Sequence, residues 1–304
     1  SDYAEFLNIT YQAIKEADPE AKVIIGGVPG MPPVSTYLKT FDKFYLPILD
    51  ELVKAKTRSF DIFDFHWYGT AKGDYRGLKP VYDYIREKLE TRGLSPTGGY
   101  WITEMGTYSG DPFPIPVLNN CDYSFQTEEQ QAADLFKRYV YALSLGIRKV
   151  FHGFGLREGF KYDKGFFDFT GLIYDGRFPH DKGKGVKKRA YYTYQLMSKK
   201  LAGCKWDRIT ILRNGKDNIY AFKFVKKSAG DPIYVAWWDY FDDPLYAQGN
   251  TRKRYFLADM EIANVTQVLT DRSGNRKSWQ LRAVSGKTEL LLQESPLLIE
   301  PQTE

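Results

Sequence analysis

The chain has 304 residues, 43% of them aliphatic or aromatic and 27% charged, an ordinary globular mixture that excludes a disordered or fibrous protein and is long enough for about two domains. Lys and Arg exceed Asp and Glu by 43 to 38, so the net charge of +5 is too small to mark a nucleic-acid binder, and no apolar run approaches the length of a membrane span. Two cysteines, Cys121 and Cys204, and three histidines supply neither a disulfide framework nor a four-ligand zinc cluster, so no metal or other cofactor is expected.

The opening Ser1-Asp2-Tyr3 has no signal-peptide character, and a soluble chain is expected. Tyr3, Phe6, Leu7, Tyr11, Ile14 and Ala17 recur at three- and four-residue steps and predict a first helix that Pro19 ends. Ala21 to Gly27 (AKVIIGG) is a continuous apolar run of the kind buried on both faces of a parallel sheet. Helices follow over 37–56 and 78–91, with strands over 60–68 (FDIFDFHWY) and 100–104 (YWITE). Thr127-Glu-Glu-Gln130 has capping-box spacing and opens a helix to about Leu145; residues 149–154 (KVFHGF) form a fourth strand, and 187–201 its helix. Helix-linked parallel strands make this part α/β.

After Cys204 the pattern changes to short alternating runs at 206–213, 219–226, 233–238, 254–257, 265–270, 279–283, 290–292 and 297–299, with Asn214-Gly215 as a hairpin turn. The division predicted is 1–203 for the α/β part and 204–304 for an antiparallel β-sandwich. Of the adjacent Trp237 and Trp238, one belongs to the sandwich core and the other to core or to a surface platform. The basic run Lys182 to Arg189 (KGKGVKKR) is expected to be a solvated loop entering a helix.

Functional residues of parallel-strand barrels sit at the carboxyl ends of strands. Those ends present Gly26-Gly27, expected to permit a turn; His66 and Tyr68, sharing one side-chain parity; Glu104; and His152 with Phe154, backed by an aromatic-rich loop over 160–169. Trp67 and Trp101, of opposite parity to His66 and Glu104, are expected to pack under helices. The first glycine run lacks the spacing of a phosphate-binding loop, and no GxSxG or HExxH motif appears.

WITEMG at 101–106 following FDIFDFHWYG at 60–69 resembles the later strands of a clan A retaining glycoside hydrolase, a (β/α)8 barrel. The resemblance implies that Glu104 is the nucleophile, that Tyr68 donates a hydrogen bond to it and that His66 lines the sugar subsite. It aligns AKVIIGG with the fifth strand, KVFHGF with the eighth and residues 2–17 with the fourth helix. At the eighth strand, where the clan often carries Trp, this chain has Phe151, His152 and Phe154, of which His152 and Phe154 are expected to bind substrate. In the clan the general acid/base is the Glu of an Asn-Glu pair on the fourth strand, and no Asn-Glu dipeptide occurs in this sequence.

The expected fold is therefore a half TIM-type barrel followed by a β-sandwich, with a carbohydrate partner and a second chain or a homodimer completing the barrel; nucleic acid and membrane are not expected partners. Candidate acids within the chain are Asp64, Asp111, Asp122, Glu158, Asp163, Asp168 and Asp175, with Glu158 first for its place just after the fourth strand. In an isologous dimer two Glu104 side chains would instead share a proton. The rival from another class is a non-catalytic carbohydrate-binding or assembly protein.

Overall fold

The computed structural model describes residues 2–113, 123–227, 231–258 and 260–302. Its first part is a mixed α/β unit built on a parallel sheet of Ile62–Asp64 (β1), Trp67–Tyr68 (β2), Gly99–Gly106 (β3) and Lys149–His152 (β4). β1 and β2 are two pieces of one line along one side of β3, and β4 pairs with its other side. Residues 23–30 run parallel to the β1–β2 line: Ile25 N–H donates to the Ile62 carbonyl (3.1 Å), His66 N–H to Val28 (2.8 Å) and Tyr68 N–H to Gly30 (2.8 Å). The run predicted as a strand over 21–27 thus lies in the sheet, but as an extended segment touching it through bridges at Ile24 and Val28. Tyrosines from the helices take up part of its backbone: Gly26 N–H donates to Tyr3 Oη (3.1 Å), and Tyr45 Oη donates to the Gly26 carbonyl (3.0 Å).

Helices α1 (Asp2–Ala17), α2 (Val34–Lys54), α3 (Leu78–Glu90), α4 (Glu128–Ser144) and α5 (Arg189–Leu201) alternate with the strands. Phe63, Phe65, Trp67, Ile102 and Met105 are fully buried in one core with Phe41, Leu49 and Leu52 of α2, Ile85 of α3 and Phe136 and Val140 of α4. Each such side chain contributes about 1.5–3 kcal/mol of transfer free energy, which orients the sheet with this face toward the helices. The predicted capping box on α4 is present, Gln130 N–H donating to Thr127 Oγ1 (3.2 Å) and Thr127 N–H to Gln130 Oε1 (2.8 Å). Among the described residues no helix is long and apolar enough to cross a membrane.

The second part holds Thr210–Asn214 (β5), Ile219–Phe224 (β6), Ile233–Trp238 (β7), Lys253–Ala258 (β8), Ile262–Thr270 (β9), Arg276–Arg282 (β10), Lys287–Leu292 (β11) and Leu297–Pro301 (β12). Six of these form an antiparallel sheet in the order β10-β9-β12-β7-β6-β5, and β8 pairs with β11 in a separate ribbon. The β5–β6 connection is longer than the two-residue turn expected of Asn214-Gly215: a 3-10 turn over Lys216–Asn218 follows Gly215, whose φ of 82° suits glycine.

Both faces of the six-stranded sheet are covered, so both Trp237 and Trp238 are buried. Trp238 lies in the core beneath the β8–β11 ribbon with Tyr255, Leu257, Leu290 and Leu292. Trp237 joins the core of the parallel unit, stacking on Tyr220 at 5.4 Å, and its indole N–H donates to Tyr75 Oη (2.9 Å). Lys137 of α4 pairs with Glu294 (2.8 Å), and Arg189 of α5 donates to the Thr270 carbonyl (2.8 Å).

Candidate active site

A one-residue bulge in β3 decides which side chains leave the core. Asp64 pairs with Trp101 and Trp67 with Met105, so three steps along β1–β2 match four along β3; against β4, Ile102 and Met105 pair with Val150 and His152, three steps matching two. The extra residue lies between Ile102 and Met105, whose side chains both enter the helix-packed core. Thr103 and Glu104 are therefore both turned to the opposite face, where strict alternation would have sent Glu104 back into the helices. Trp101 also lies on that opposite face, in contrast to the packing expected under helices: its ring meets Phe151 at 6.0 Å with Lys149 Nζ 4.2 Å above it. Trp67 does pack among the helices, its Nε1–H donating to the Asp74 carbonyl (2.9 Å).

Glu104 opens into a cleft of about 460 Å³ together with His66, Tyr68, Met31, Phe154 and Phe167. Tyr68 Oη donates to Glu104 Oε2 (3.0 Å), and His66 Nδ1 stands 3.3 Å from the same oxygen. Burial, with the Glu104 carboxylate beside it, raises the Tyr68 pKa well above the ordinary phenol value, so the hydroxyl remains a donor at working pH. On its other edge His66 Nε2 lies 3.1 Å from Thr103 Oγ1 and 3.5 Å from Asp64 Oδ2. Asp64 is nearly fully buried and accepts the Thr103 N–H (2.9 Å) and hydroxyl, so it anchors the imidazole from below. Aromatic rings wall the cleft: Tyr68 stacks parallel to Phe154 at 6.1 Å, and Phe167 stands edge-on to both, at 5.0 Å from Tyr68 and 4.7 Å from Phe154. Phe154 remains 42% exposed, with the Phe160 ring 4.5 Å from it.

The glycines serve close approach. Gly27 has no left-handed φ; a Cβ there would collide with the His66 ring and the Asp64 carboxylate. At Gly30 it would strike Tyr37 and the His66 carbonyl, and at Gly153 the Tyr68 hydroxyl. Gly27 thus has a contact role in place of the expected turn, Phe167 belongs to the aromatic loop already expected behind the cleft, and the sequence singles out neither Thr103 nor Gly153. Thr103 lies beside Glu104 in the same motif, and Phe167 in the aromatic run, but only the bulge and loop path bring them in.

Two expected residues point elsewhere. His152 has the register of Met105, and its Nε2 lies 3.1 Å from the Thr170 carbonyl rather than in the cleft; burial lowers its pKa to about 4 and keeps the ring neutral. Glu158, first of the candidate acids, does not line the cleft, because its loop folds back onto Ile173 (Glu158 N–H to the carbonyl, 2.8 Å) and its carboxylate ion-pairs with fully buried Lys188. Burial pushes the Glu158 pKa upward against the pull of Lys188. Lys188 thereby departs from the solvated loop expected for the 182–189 run, its ammonium also donating to Ser109 Oγ (3.0 Å) and the Phe169 carbonyl (3.2 Å).

The remaining acids are occupied or distant. Asp168 Oδ1 accepts N–H groups from Phe160 (2.7 Å), Lys161 (2.9 Å) and Tyr162 (2.9 Å) and so shapes the aromatic loop. Asp163 and Asp175 cap their own turns, Asp111 is exposed, and Asp122 and Cys121 lie outside the described residues. Among the described residues Glu104 is the one acid lining this cleft.

No protein-family model matches the chain, and no curated protein matches it. Solved structures do. The chain is similar to a family 39 glycoside hydrolase from Bacteroides cellulosilyticus WH2, with a TM-score of 0.65 and 16% identity over 99% of this chain and 55% of that one. It is also similar to a glucosidase from Croceicoccus marinus (TM-score 0.63, 15% identity, 99% and 64% covered) and to a bifunctional glucanase-xylanase from a metagenome library (0.56, 12%, 99% and 59%). Further matches are glycoside hydrolases of families 44, 30 and 51, a set consistent with clan A. The fold is thus that of glycoside hydrolases, and this chain spans 55% to 64% of the length of the first three.

Proposed function

We propose that the chain supplies the nucleophile side of a retaining glycoside hydrolase acting on β-linked sugars, with residues 1–203 as half of a β/α barrel and 204–304 as its companion β-sandwich. The observation that carries this reading is the Glu104 carboxylate, held between the Tyr68 hydroxyl (3.0 Å) and His66 (3.3 Å) at the mouth of an aromatic cleft. Glu104 would attack the anomeric carbon while the bond to the leaving oxygen breaks with its electron pair; Tyr68 and His66 hold the attacking oxygen in line, and water later releases the sugar. Phe154 and Phe167 wall the cleft that takes the ring.

A retaining enzyme needs a second carboxyl about 5–5.5 Å from the first to protonate the leaving group. We assign that acid to polypeptide outside these 304 residues that closes the barrel, with a second chain or a second copy as one source. Support comes from the apolar groups left in water on α1 and β4, where Phe6 is 65% exposed, Ile9 59% and Phe151 44%. A solution mass of one protomer in its native preparation would refute completion by another chain. The solitary acid in the cleft favours one second reading, a non-catalytic carbohydrate-binding or assembly protein.

Activated 2-fluoro glycosides carry a leaving group that departs without protonation, so they test the nucleophile apart from the acid. Incubation with a panel of them should add the mass of one sugar to the chain, and Glu104→Gln should abolish the addition. No label from any sugar refutes the nucleophile assignment and leaves the binding reading.

A further inference from the structure

A second wide opening lies far from Glu104 in sequence, lined by residues of β8, β9, β10 and β11. It is a cleft of about 890 Å³. Its rings are Trp279 of β10 and Phe256 of β8, 39% and 52% exposed, and neither meets another aromatic ring among the described residues. Trp279, Lys277 and Leu281 share one parity on β10, and Leu281 packs against the inner core of the sandwich, so the Trp279 ring faces into the cleft.

The charge around it is one-sided. Arg252, Lys277, Arg282 and Lys287 line the cleft, all exposed, and among the described residues none of their side chains forms an ion pair or a hydrogen bond. The one carboxylate in the lining, Glu289, is already bridged by Arg254 at 3.1 Å. Four unpaired cations around unstacked rings therefore present an uncompensated positive field to whatever enters. Gln267 and Gln293 add amide donors and acceptors.

We propose that this cleft is a second carbohydrate site, selective for an anionic oligosaccharide bearing uronate carboxylates. Flat rings take the apolar face of a pyranose, the amides take hydroxyls, and spaced cations take the carboxylates. The assignment of a sugar rather than a nucleic acid rests on the carbohydrate reading of the Glu104 cleft. The whole charge excess of the protein is +5, small for a chain that binds a nucleic-acid backbone.

Titration calorimetry with oligogalacturonates, chain-length-matched neutral cello-oligosaccharides and a single-stranded oligonucleotide tests it. The oligogalacturonate should bind at least about tenfold more tightly than the neutral sugar, with affinity falling as salt rises. Trp279→Ala should weaken it about tenfold, and Lys277→Glu with Arg282→Glu should remove the preference for anionic sugar even if the tryptophan variant folds poorly. Glu104→Gln should bind uronate like the parent. Equal binding of neutral sugar, unchanged binding in both cleft variants, no sugar binding, or tighter binding of the oligonucleotide overturns the proposal. Covalent labelling of Glu104 is read separately, so failure of uronate binding with labelling intact refutes this site alone.

Discussion

Tyr75→Phe removes one oxygen from the seam between the parallel sheet and the β-strand unit. Tyr75 is fully buried, and its hydroxyl accepts from Trp237 Nε1 (2.9 Å) and donates to Asp239 Oδ2 (3.0 Å). The phenylalanine ring keeps the edge contacts with Tyr141 (5.3 Å), Tyr220 (5.8 Å) and Trp237 (6.1 Å), so no large cavity forms. What is lost is bonding. The indole N–H is stranded, and Asp239, 1% exposed with Oδ1 already unpartnered, keeps only Arg76 Nε at 3.6 Å. A buried group left unsatisfied costs about 1–3 kcal/mol, so two give about 2–6 kcal/mol, with the carboxylate nearer the upper end.

Urea unfolding followed by tryptophan fluorescence and far-UV circular dichroism measures this loss. Tyr75 and Trp237 stand on opposite sides of residue 204 yet occupy one core, so both probes should report a single transition whose midpoint falls in the variant while the slope is unchanged. Trp237→Phe acts on the same bond, and the double variant should lose less than the sum by at least about 0.5 kcal/mol. A loss below about 0.5 kcal/mol, strict additivity or two separate transitions would refute the reasoning.

Other perturbations follow from the same geometry. Gly27→Ala should push His66 away from Glu104 and slow covalent labelling at least about tenfold with little change in circular dichroism; labelling at the parent rate would show that the imidazole has no positioning role. His152, lowered by burial to about 4 against an unfolded value near 6.5, binds fewer protons folded than unfolded between those limits. Its contribution is therefore full above pH 6.5 and lost toward pH 4, up to about 3 kcal/mol, and His152→Gln should flatten that slope in urea titrations at several pH values. Lys188→Met leaves Glu158 buried without its cation and should cost about 3–5 kcal/mol, whereas adding Glu158→Leu should restore most of it; equal stability of the single and double variants would contradict the ion pair.

Much of the local structure is determined by sequence alone. Apolar periodicity places α1 to α5, the Thr127–Gln130 pair starts α4 because two side chains meet the first free N–H groups, and alternation gives each strand after Cys204. Parity likewise puts His66 and Tyr68 on one face, since a two-residue step in a strand always does. Tertiary structure decides where pairing and burial compete with local pattern. Glu104 reaches the cleft through a bulge visible only in the register of three strands, and that bulge also carries Thr103 to His66. His152 and Glu158 look like site residues by position, but one follows Met105 to the helix side and the other finds Lys188 from a distant loop. Whether Trp237 and Trp238 are surface or core depends on what lies against each face of the sheet, and no local pattern encodes that.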